Sequence, residues 1–288
     1  MKTKAITFLT AIAMLACTAF AAANHTGQTT MTTPTNDISD NDVKVRLETS
    51  LGPVTILLYG DTPAHRDNFI RRVNAGDYDG VLFHRVISDF MVQTGDPDSK
   101  GAPKGKRLGA GDSGTPIDAE ILFPRYYHHR GAIAAARQGD NVNPERRSSG
   151  SQFYIVTGRK FSPAELDKLD RQALMRHQQD VFNDLCRQNY DTIKALRLKR
   201  DRAGLDSLQE KLVAETKALT AADTTFYTPE MRDVYVTQGG TPHLDGTYTV
   251  FGKVLDGMDV IDRIEAAPTD ANDRPLEDIL ITRAKVID

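Results

Sequence analysis

Residues 83 to 96 are the most informative stretch of this chain, and they run Phe83-His84-Arg85-Val86-Ile87-Ser88-Asp89-Phe90-Met91-Val92-Gln93-Thr94-Gly95-Asp96. Two short apolar segments are separated by Ser88-Asp89, and the stretch closes at Gly95, so the pattern predicts two brief strands joined by a turn. Arg85 lies in the first segment and Gln93 in the second. An arginine in an apolar strand is usually a surface or ion-pair residue, so this stretch alone leaves the role of Arg85 open.

Other short apolar segments lie on both sides of this stretch. Val43, Val45 and Leu47 alternate with polar residues, and the turn at 51–53 leads to a second strand over 54–59, which predicts a hairpin. Further strands are predicted at 81–87, 90–93, 131–136, 152–156, 249–254 and 279–286. Many short strands and few helices predict a mainly β chain folded as a closed antiparallel barrel.

Residues 159 to about 239 interrupt the strand pattern with helical signals. Ser162-Pro163-Ala164-Glu165 is a capping box, and apolar residues follow it at helical spacing. Gly204 offers a turn to a return helix, and a third short helix is predicted to begin at Thr228 and to end at Gly239. We therefore expect a helical insertion based on a hairpin.

Composition limits the classes of partner. The chain has 288 residues and 40% hydrophobic content, enough for one core with an appendage or for two small domains. The net charge is −3, and removal of Lys2 and Lys4 with an N-terminal leader would make it −3 − 2 = −5. A chain with this charge is not expected to bind polyanions, so we predict no nucleic-acid partner.

Residues 1 to 23 have the layout of a secretory signal peptide, with two lysines, an apolar run over 5–16 and then small residues. The run is too short to span a bilayer as a permanent helix. Two outcomes stay open. Ala19-Phe20-Ala21 fits ordinary signal cleavage, whereas Leu15-Ala16-Cys17 resembles the end of a bacterial lipoprotein signal, in which the cysteine is lipidated.

The segment after the leader is polar and aperiodic over residues 24 to 41, a composition typical of a flexible tether. We expect an exported protein in the periplasm or cell envelope, with membrane contact only through a lipid on Cys17. The other cysteine is Cys186, so no intramolecular disulfide is expected in the mature protein.

Three blocks of sequence, in the same order as in the family, resemble the cyclophilin-type peptidyl-prolyl cis/trans isomerases. They are residues 83–96, then Ser149-Gly150-Ser151-Gln152-Phe153-Tyr154-Ile155, then His243-Leu244-Asp245-Gly246 followed by Val250-Phe251-Gly252-Lys253-Val254. The resemblance covers 42–158 and 240–288, and it leaves out the leader, the tether and the insertion.

This resemblance implies a cyclophilin-like domain over residues 42–288, interrupted by the insertion at about 159–239. The implied fold is a closed eight-stranded antiparallel β-barrel capped by two helices, with the active site in a groove on its outside. Thr62-Pro63 and Gly76 carry the start and stop signals of the first capping helix. Apolar residues at helical spacing over 257–264 fit the second.

The resemblance also implies which residues form a proline-binding site. Arg85 is implied to be catalytic, and the substrate-binding residues are implied to be Phe90, Met91, Gln93, Ala136, Gln152, Tyr154, His243, Leu244 and Tyr248. Proline-containing unfolded or exported polypeptides are the expected partners. Within the strand 151–155, alternation places Gln152 and Tyr154 on one face and Phe153 on the other, toward the core.

The chemistry of such a site can be argued without the family. Exchange of an X-Pro bond is slow only because resonance stiffens the C–N bond, so catalysis needs no nucleophile, metal ion or cofactor. A fixed guanidinium can donate a hydrogen bond toward the proline nitrogen of the twisted amide, while an apolar pocket holds the ring. Arg85 is the candidate donor, and Phe90, Met91 and Leu244 are the candidate wall.

Some positions depart from the family pattern. Tyr154 stands where many members have phenylalanine, His243 where the best-known members have tryptophan, Tyr248 where they have histidine, and Arg137 where some have asparagine. The Tyr154 hydroxyl is expected either to bond to the substrate or to crowd the proline ring, and His243 disfavours tight cyclosporin binding. Of these departures, Tyr154 and His243 favour a second function, a non-catalytic proline-recognition module or a holdase that grips clients with the insertion.

Two groups of polar residues suggest metal sites only at first sight. His128 and His129 are adjacent, and adjacent side chains of an extended chain point apart. Asp96, Asp98 and Asp112 lie in a Gly-rich region but lack the spacing of a calcium loop. We therefore predict no metal site.

Overall fold

The computed structural model describes residues 39–112 and 114–288. The predicted leader over 1–23, the lipidation at Cys17 and the tether as far as residue 38 lie outside the described residues. They remain predictions.

Eight antiparallel strands form one curled sheet. They are β1 (Val43–Thr49), β2 (Gly52–Leu58), β3 (Arg85–Ile87), β4 (Met91–Thr94), β5 (Ala132–Ala135), β6 (Phe153–Val156), β7 (Val250–Asp256) and β8 (Ile281–Ile287). Their order across the sheet is β3-β4-β6-β5-β7-β2-β1-β8. The predicted hairpin of the first two strands is confirmed, with Val45 opposite Ile56.

The sheet is open, so the prediction of a closed barrel is wrong on this point. Its edge strands β3 and β8 do not pair with each other along their lengths. The segment that contacts the start of β8 is the one just before β3 in the sequence. Leu82 forms a single bridge with Leu280, and the Phe83 amide donates to the Ile279 carbonyl at 2.8 Å. The predicted strand over 81–87 is therefore divided, with its first half at the seam and its second half in β3.

Two helices pack into the curl of this sheet, α1 (Pro63–Ala75) and α6 (Met258–Glu265). Both were predicted, and Gly76 ends α1 in the left-handed conformation that its stop signal requires (φ 72°). Phe69 of α1 and Ile261 of α6 are buried in the same core cluster as the inward side chains of the strands. Burial of these apolar faces stabilises the curl.

The two faces of the sheet bury different clusters. Ile133, Phe153 and Ile155 belong to the main core inside the curl. Ala134 and Tyr154, their strand neighbours, belong to a second cluster on the opposite face. The predicted alternation along β6, with Phe153 in the core, is confirmed, and the outer face is left as the platform for a site.

The region predicted as a helical insertion contains four helices, α2 (Pro163–Gln188), α3 (Tyr190–Leu198), α4 (Arg202–Leu219) and α5 (Pro229–Thr237). The Ser162–Glu165 capping box is present, and Thr228 caps the start of α5, where the sequence predicted that helix to begin. Gly204 does not make the turn. It lies in the first turn of α4, where its amide donates to Asp201 Oδ1 at 2.9 Å, and Arg200 adopts the left-handed conformation (φ 53°) instead.

The helices share a small core with the chain around them. Leu166 and Ala173 of α2 pack against Tyr227, Met231 and Tyr235, all nearly fully buried. Within residues 39–112 and 114–288, no helix is long and apolar enough to cross a membrane.

Candidate active site

A row of side chains crosses four neighbouring strands on the outer face of the sheet. Arg85 of β3 lies opposite Gln93 of β4, Gln93 lies opposite Tyr154 of β6, and Tyr154 lies opposite Ala134 of β5. Because residues at paired positions project from the same face, the register brings together residues separated by up to 69 positions in sequence.

A cleft of about 330 Å³ opens over this row. Eight of the ten predicted site residues line it, namely Arg85, Phe90, Met91, Gln93, Ala136, Tyr154, Leu244 and Tyr248. Gln152 and His243 lie outside its lining. The cleft has the size of a small-ligand site.

One wall of the cleft is apolar. Met91 and Tyr154 are buried in the outer-face cluster, and Phe90, Ala136 and Leu244 pack against them half-buried. A half-buried apolar side chain in a concave surface offers contact area to a ligand without reorganising the core. This wall can hold a ring the size of proline.

Arg85 stands at the opposite side of the cleft with a loosely held guanidinium. Its side chain is 43% exposed, and its Nε lies 3.7 Å from Asp273 Oδ2. Its Nη1 donates to Gln93 Oε1 at 3.4 Å. Both contacts are long, and a guanidinium carries five N–H donors. The side chain therefore has donor capacity for a group bound in the cleft.

Gln152 supports the cleft from behind. Its Oε1 accepts from Gln93 Nε2 at 2.9 Å, and its Nε2 donates to the carbonyls of Gly109 and Gly111. The side chain is 6% exposed. The structure thus places Gln152 as the residue that orients Gln93, not as a residue that faces the cleft, because the Gly109–Gly111 loop covers it.

His243 and Tyr248 lie at different positions relative to the cleft. The His243 ring packs on Phe90 with centroids 5.5 Å apart, so it backs one side of the apolar wall. Tyr248 lines the cleft beneath the Arg137 guanidinium, whose carbon lies 4.4 Å from the ring centroid. Arg137 is held there by donating to the Thr247 carbonyl at 2.9 Å.

The hydroxyl of Tyr154, expected to meet or crowd a substrate, is engaged elsewhere. It lies 3.0 Å from Nε2 of His128, and Nδ1 of His128 lies 2.8 Å from Oδ1 of Asp245. Tyr235 of α5 donates to the other oxygen, Oδ2, at 2.5 Å. Burial raises the pKa of Tyr154 well above its ordinary value, so the phenol stays protonated. The cleft therefore receives the tyrosine ring and not a free hydroxyl.

Several residues of the cleft were missed by the sequence analysis. They are His84, Lys106, Leu108, Gly109, Asn272 and Arg274. Five of them lie in loops, where no periodic pattern indicates the direction in which a side chain points. His84 is 3% exposed and lies at the base of the cleft. Burial lowers its pKa, so the imidazole is neutral near pH 7.

A family model described as "Cyclophilin type peptidyl-prolyl cis-trans isomerase/CLD" matches residues 44–218 and 218–286 of this chain. These matches cover more than half of the chain and include every strand of the sheet except the first residue of β1 and the last of β8.

Curated relatives carry related names. A Streptococcus pyogenes protein named "Putative bifunctional phosphatase/peptidyl-prolyl cis-trans isomerase" is 30% identical over 252 residues, which is 85% of this chain and 39% of that protein. This chain thus spans less than half of that relative. A Staphylococcus epidermidis protein named "Putative peptidyl-prolyl cis-trans isomerase" is 29% identical over 248 residues, 85% of this chain and 92% of the relative.

A solved structure shows the same fold. The crystal structure of a cyclophilin type peptidyl-prolyl cis-trans isomerase from Cryptosporidium parvum superposes with a TM-score of 0.50 at 20% identity, covering 86% of this chain and 98% of that one.

Proposed function

Because this chain belongs to the cyclophilin-type peptidyl-prolyl cis-trans isomerase family, we propose that it accelerates the cis/trans exchange of X-Pro bonds in polypeptides. One observation carries the proposal: Arg85 faces an apolar wall across a cleft of about 330 Å³. That arrangement pairs a hydrogen-bond donor with a place for the proline ring. The proposal needs no metal ion or cofactor.

The mechanism follows from what the reaction must overcome. Resonance makes the barrier to rotation about the C–N bond about 18–20 kcal/mol. In the twisted amide the proline nitrogen regains a lone pair, which accepts a hydrogen bond that the planar amide does not. A donor placed at that nitrogen therefore stabilises the transition state more than the ground state, and so lowers the barrier.

The residues of the cleft divide this work. Phe90, Met91 and Leu244 hold the pyrrolidine ring and exclude water, so the hydrogen bond forms in a medium of low dielectric constant. The Gln93 amide, oriented by Gln152, offers a contact to the backbone of the substrate. Arg85 donates to the proline nitrogen as the carbonyl side of the bond turns.

The alternative is a module that recognises proline without catalysis. Of the two departures that favoured it, the Tyr154 hydroxyl is turned away from the cleft by its bond to His128. The second, His243, lies beside the apolar wall and takes no part in the hydrogen bond from Arg85. The arrangement favours the enzyme.

Exchange spectroscopy tests the proposal directly. The purified protein is added to a short Ala-Pro peptide, and the cis and trans signals are followed by NMR without a coupling protease. We expect accelerated exchange at substoichiometric protein. Binding of the peptide by folded protein with no acceleration would support the recognition module and reject the enzyme.

We also propose where the protein acts and on what. The layout of residues 1–23 supports export, and exported polypeptides with slow X-Pro steps would be the substrates. Lipidation at Cys17 would anchor the protein to a membrane. Fractionation of cells that express the full chain or Cys17→Ala tests this. Loss of membrane association in the variant supports the lipid anchor, and a soluble envelope protein in both supports ordinary cleavage.

A further inference from the structure

A chain of hydrogen bonds links the insertion to the floor of the cleft. The Tyr235 hydroxyl donates to Asp245 Oδ2 at 2.5 Å. His128 contacts Asp245 Oδ1 through Nδ1 at 2.8 Å and the Tyr154 hydroxyl through Nε2 at 3.0 Å. A carboxylate only accepts hydrogen bonds, which assigns the imidazole proton to Nδ1 and leaves Nε2 to accept from Tyr154.

All four side chains are shielded from solvent. Tyr235 is 0% exposed, Asp245 and His128 are each 1% exposed, and Tyr154 is 4% exposed. The backbone amide of His128 also donates to Asp245 Oδ1 at 2.8 Å, which fixes the carboxylate against the histidine. Because water cannot replace a lost partner at such burial, removal of one member leaves its neighbour unsatisfied.

The network begins outside the cleft and ends in it. Tyr235 lies on α5 and does not line the cleft, whereas Tyr154 forms its floor. Asp245 directly follows Leu244, a residue of the apolar wall. The Asp245 carboxylate thus links the insertion to Tyr154 in the floor through His128, and Asp245 itself is the sequence neighbour of Leu244 in the wall.

We propose that Tyr235 is a positioning residue for the proline site: through Asp245 and His128 it holds the Tyr154 hydroxyl away from the cleft. The inference rests on the proposed function, since it concerns how the same site receives proline. Without the Tyr235 hydroxyl, Asp245 Oδ2 loses its donor, so the carboxylate is held less firmly and His128 can release the Tyr154 hydroxyl. The released Tyr154 hydroxyl then competes with the proline ring for the apolar floor.

Tyr235→Phe tests this with the smallest change, because the ring that fills the insertion core remains. A state with the hydroxyl in the cleft does not bind, so the apparent Kd rises as the binding-competent fraction falls. We expect roughly five- to tenfold weaker binding of the Ala-Pro peptide by NMR titration. The exchange rate of the bound peptide should stay within about twofold, because Arg85 is unchanged.

A double variant that combines Tyr235→Phe with Tyr154→Phe distinguishes positioning of the Tyr154 hydroxyl from a general loss of packing in the insertion. If Tyr235 acts through the Tyr154 hydroxyl, then Tyr235→Phe should weaken binding by less than about twofold when Tyr154→Phe is already present. Tyr227→Phe is the matched control. Tyr227 is 1% exposed in the same core, and its hydroxyl donates to the Pro242 carbonyl at 2.7 Å, outside the network. Any effect of the control should not be rescued by Tyr154→Phe.

The outcomes distinguish this inference from the proposed function. If the unmodified protein accelerates exchange, but the Tyr235→Phe variant binds the peptide as tightly as the unmodified protein, the inference fails and the proposed function stands. Equal loss in both Tyr154 backgrounds also overturns it. If the unmodified protein does not accelerate exchange, the function fails, and the binding measurements still test the network. Should Tyr235→Phe not fold, His128→Gln breaks the same path and must show the same rescue.

Discussion

Replacement of Arg85 is the most direct perturbation of the proposed chemistry. In Arg85→Ala the apolar wall and Gln93 remain, but no donor reaches the proline nitrogen. Removal of one donor that acts on transition-state charge costs about 2.7–4 kcal/mol, so kcat/KM should fall about 100- to 1000-fold. Arg85→Lys keeps the charge but not the planar fork, and we expect it to lose most of the activity as well.

The structure also sets the effect on stability, which should be small. The Arg85 side chain is 43% exposed and lies 3.7 Å from its ionic partner, Asp273. Exposed ion pairs contribute about 0–1 kcal/mol, so the free energy of unfolding should change by less than about 1 kcal/mol. A large loss of activity in a protein of nearly unchanged stability would assign the loss to the transition state.

Peptide exchange by NMR gives kcat/KM, and urea denaturation gives the free energy of unfolding. Arg46→Ala is the matched control, because Arg46 is a strand arginine of similar exposure, 40%, with an ion pair to Glu48 and no place in the cleft. The reasoning is refuted if Arg85→Ala keeps kcat/KM within about threefold of the unmodified protein, since that is under 1 kcal/mol of transition-state stabilisation.

Three further predictions concern the surroundings of the site. Asp273→Asn, which tolerates the left-handed backbone there (φ 62°), should lower kcat/KM by less than about fivefold, and a loss as large as that of Arg85→Ala would show that Asp273 is essential. Burial lowers the pKa of His84, so as the pH falls below about 6.5 the unfolded chain binds more protons at this residue than the folded chain does. The free energy of unfolding, measured with urea, should therefore decrease as the pH is lowered from about 6.5, by up to about 1.4 kcal/mol per pH unit from this group, and His84→Asn should flatten the profile. A free energy of unfolding that rises as the pH is lowered would contradict this. Gly95→Ala should destabilise by more than about 2 kcal/mol, because Gly95 has φ 87° and a Cβ would clash with the Ser151 carbonyl; wild-type thermal stability would count against it.

Local patterns in the sequence predicted much of the fold. Alternation placed Phe153 in the core and Tyr154 on the outer face, and the Ser162–Glu165 capping box marked the start of α2. These features depend on side chains within a few residues of each other. The predictions of a closed barrel and of a turn at Gly204 were wrong. Closure depends on whether two edge strands that are distant in sequence overlap, and local pattern does not specify this. Local pattern also does not specify which residue near 200 adopts a positive φ.

The candidate site shows the same division. The three sequence blocks contain six of the predicted residues that line the cleft, and the family resemblance indicated two more, Ala136 and Tyr248. Arg85, Gln93 and Tyr154 meet there because residues at paired positions of neighbouring strands share a face. They did not show that Gln152 lies behind Gln93, since the loop that covers it has no periodicity.

The sequence by itself determined most of the succession of strands and helices, the outward direction of Tyr154, and the family resemblance, because each is encoded by neighbouring residues. Only the tertiary structure decided the environment of the Tyr154 hydroxyl. Its partner His128 is 26 residues away, and Asp245 is 117 residues beyond His128. A buried polar group is satisfied by whichever partners the folded chain brings within hydrogen-bond distance, and that proximity arises only when the sheet and the insertion pack together.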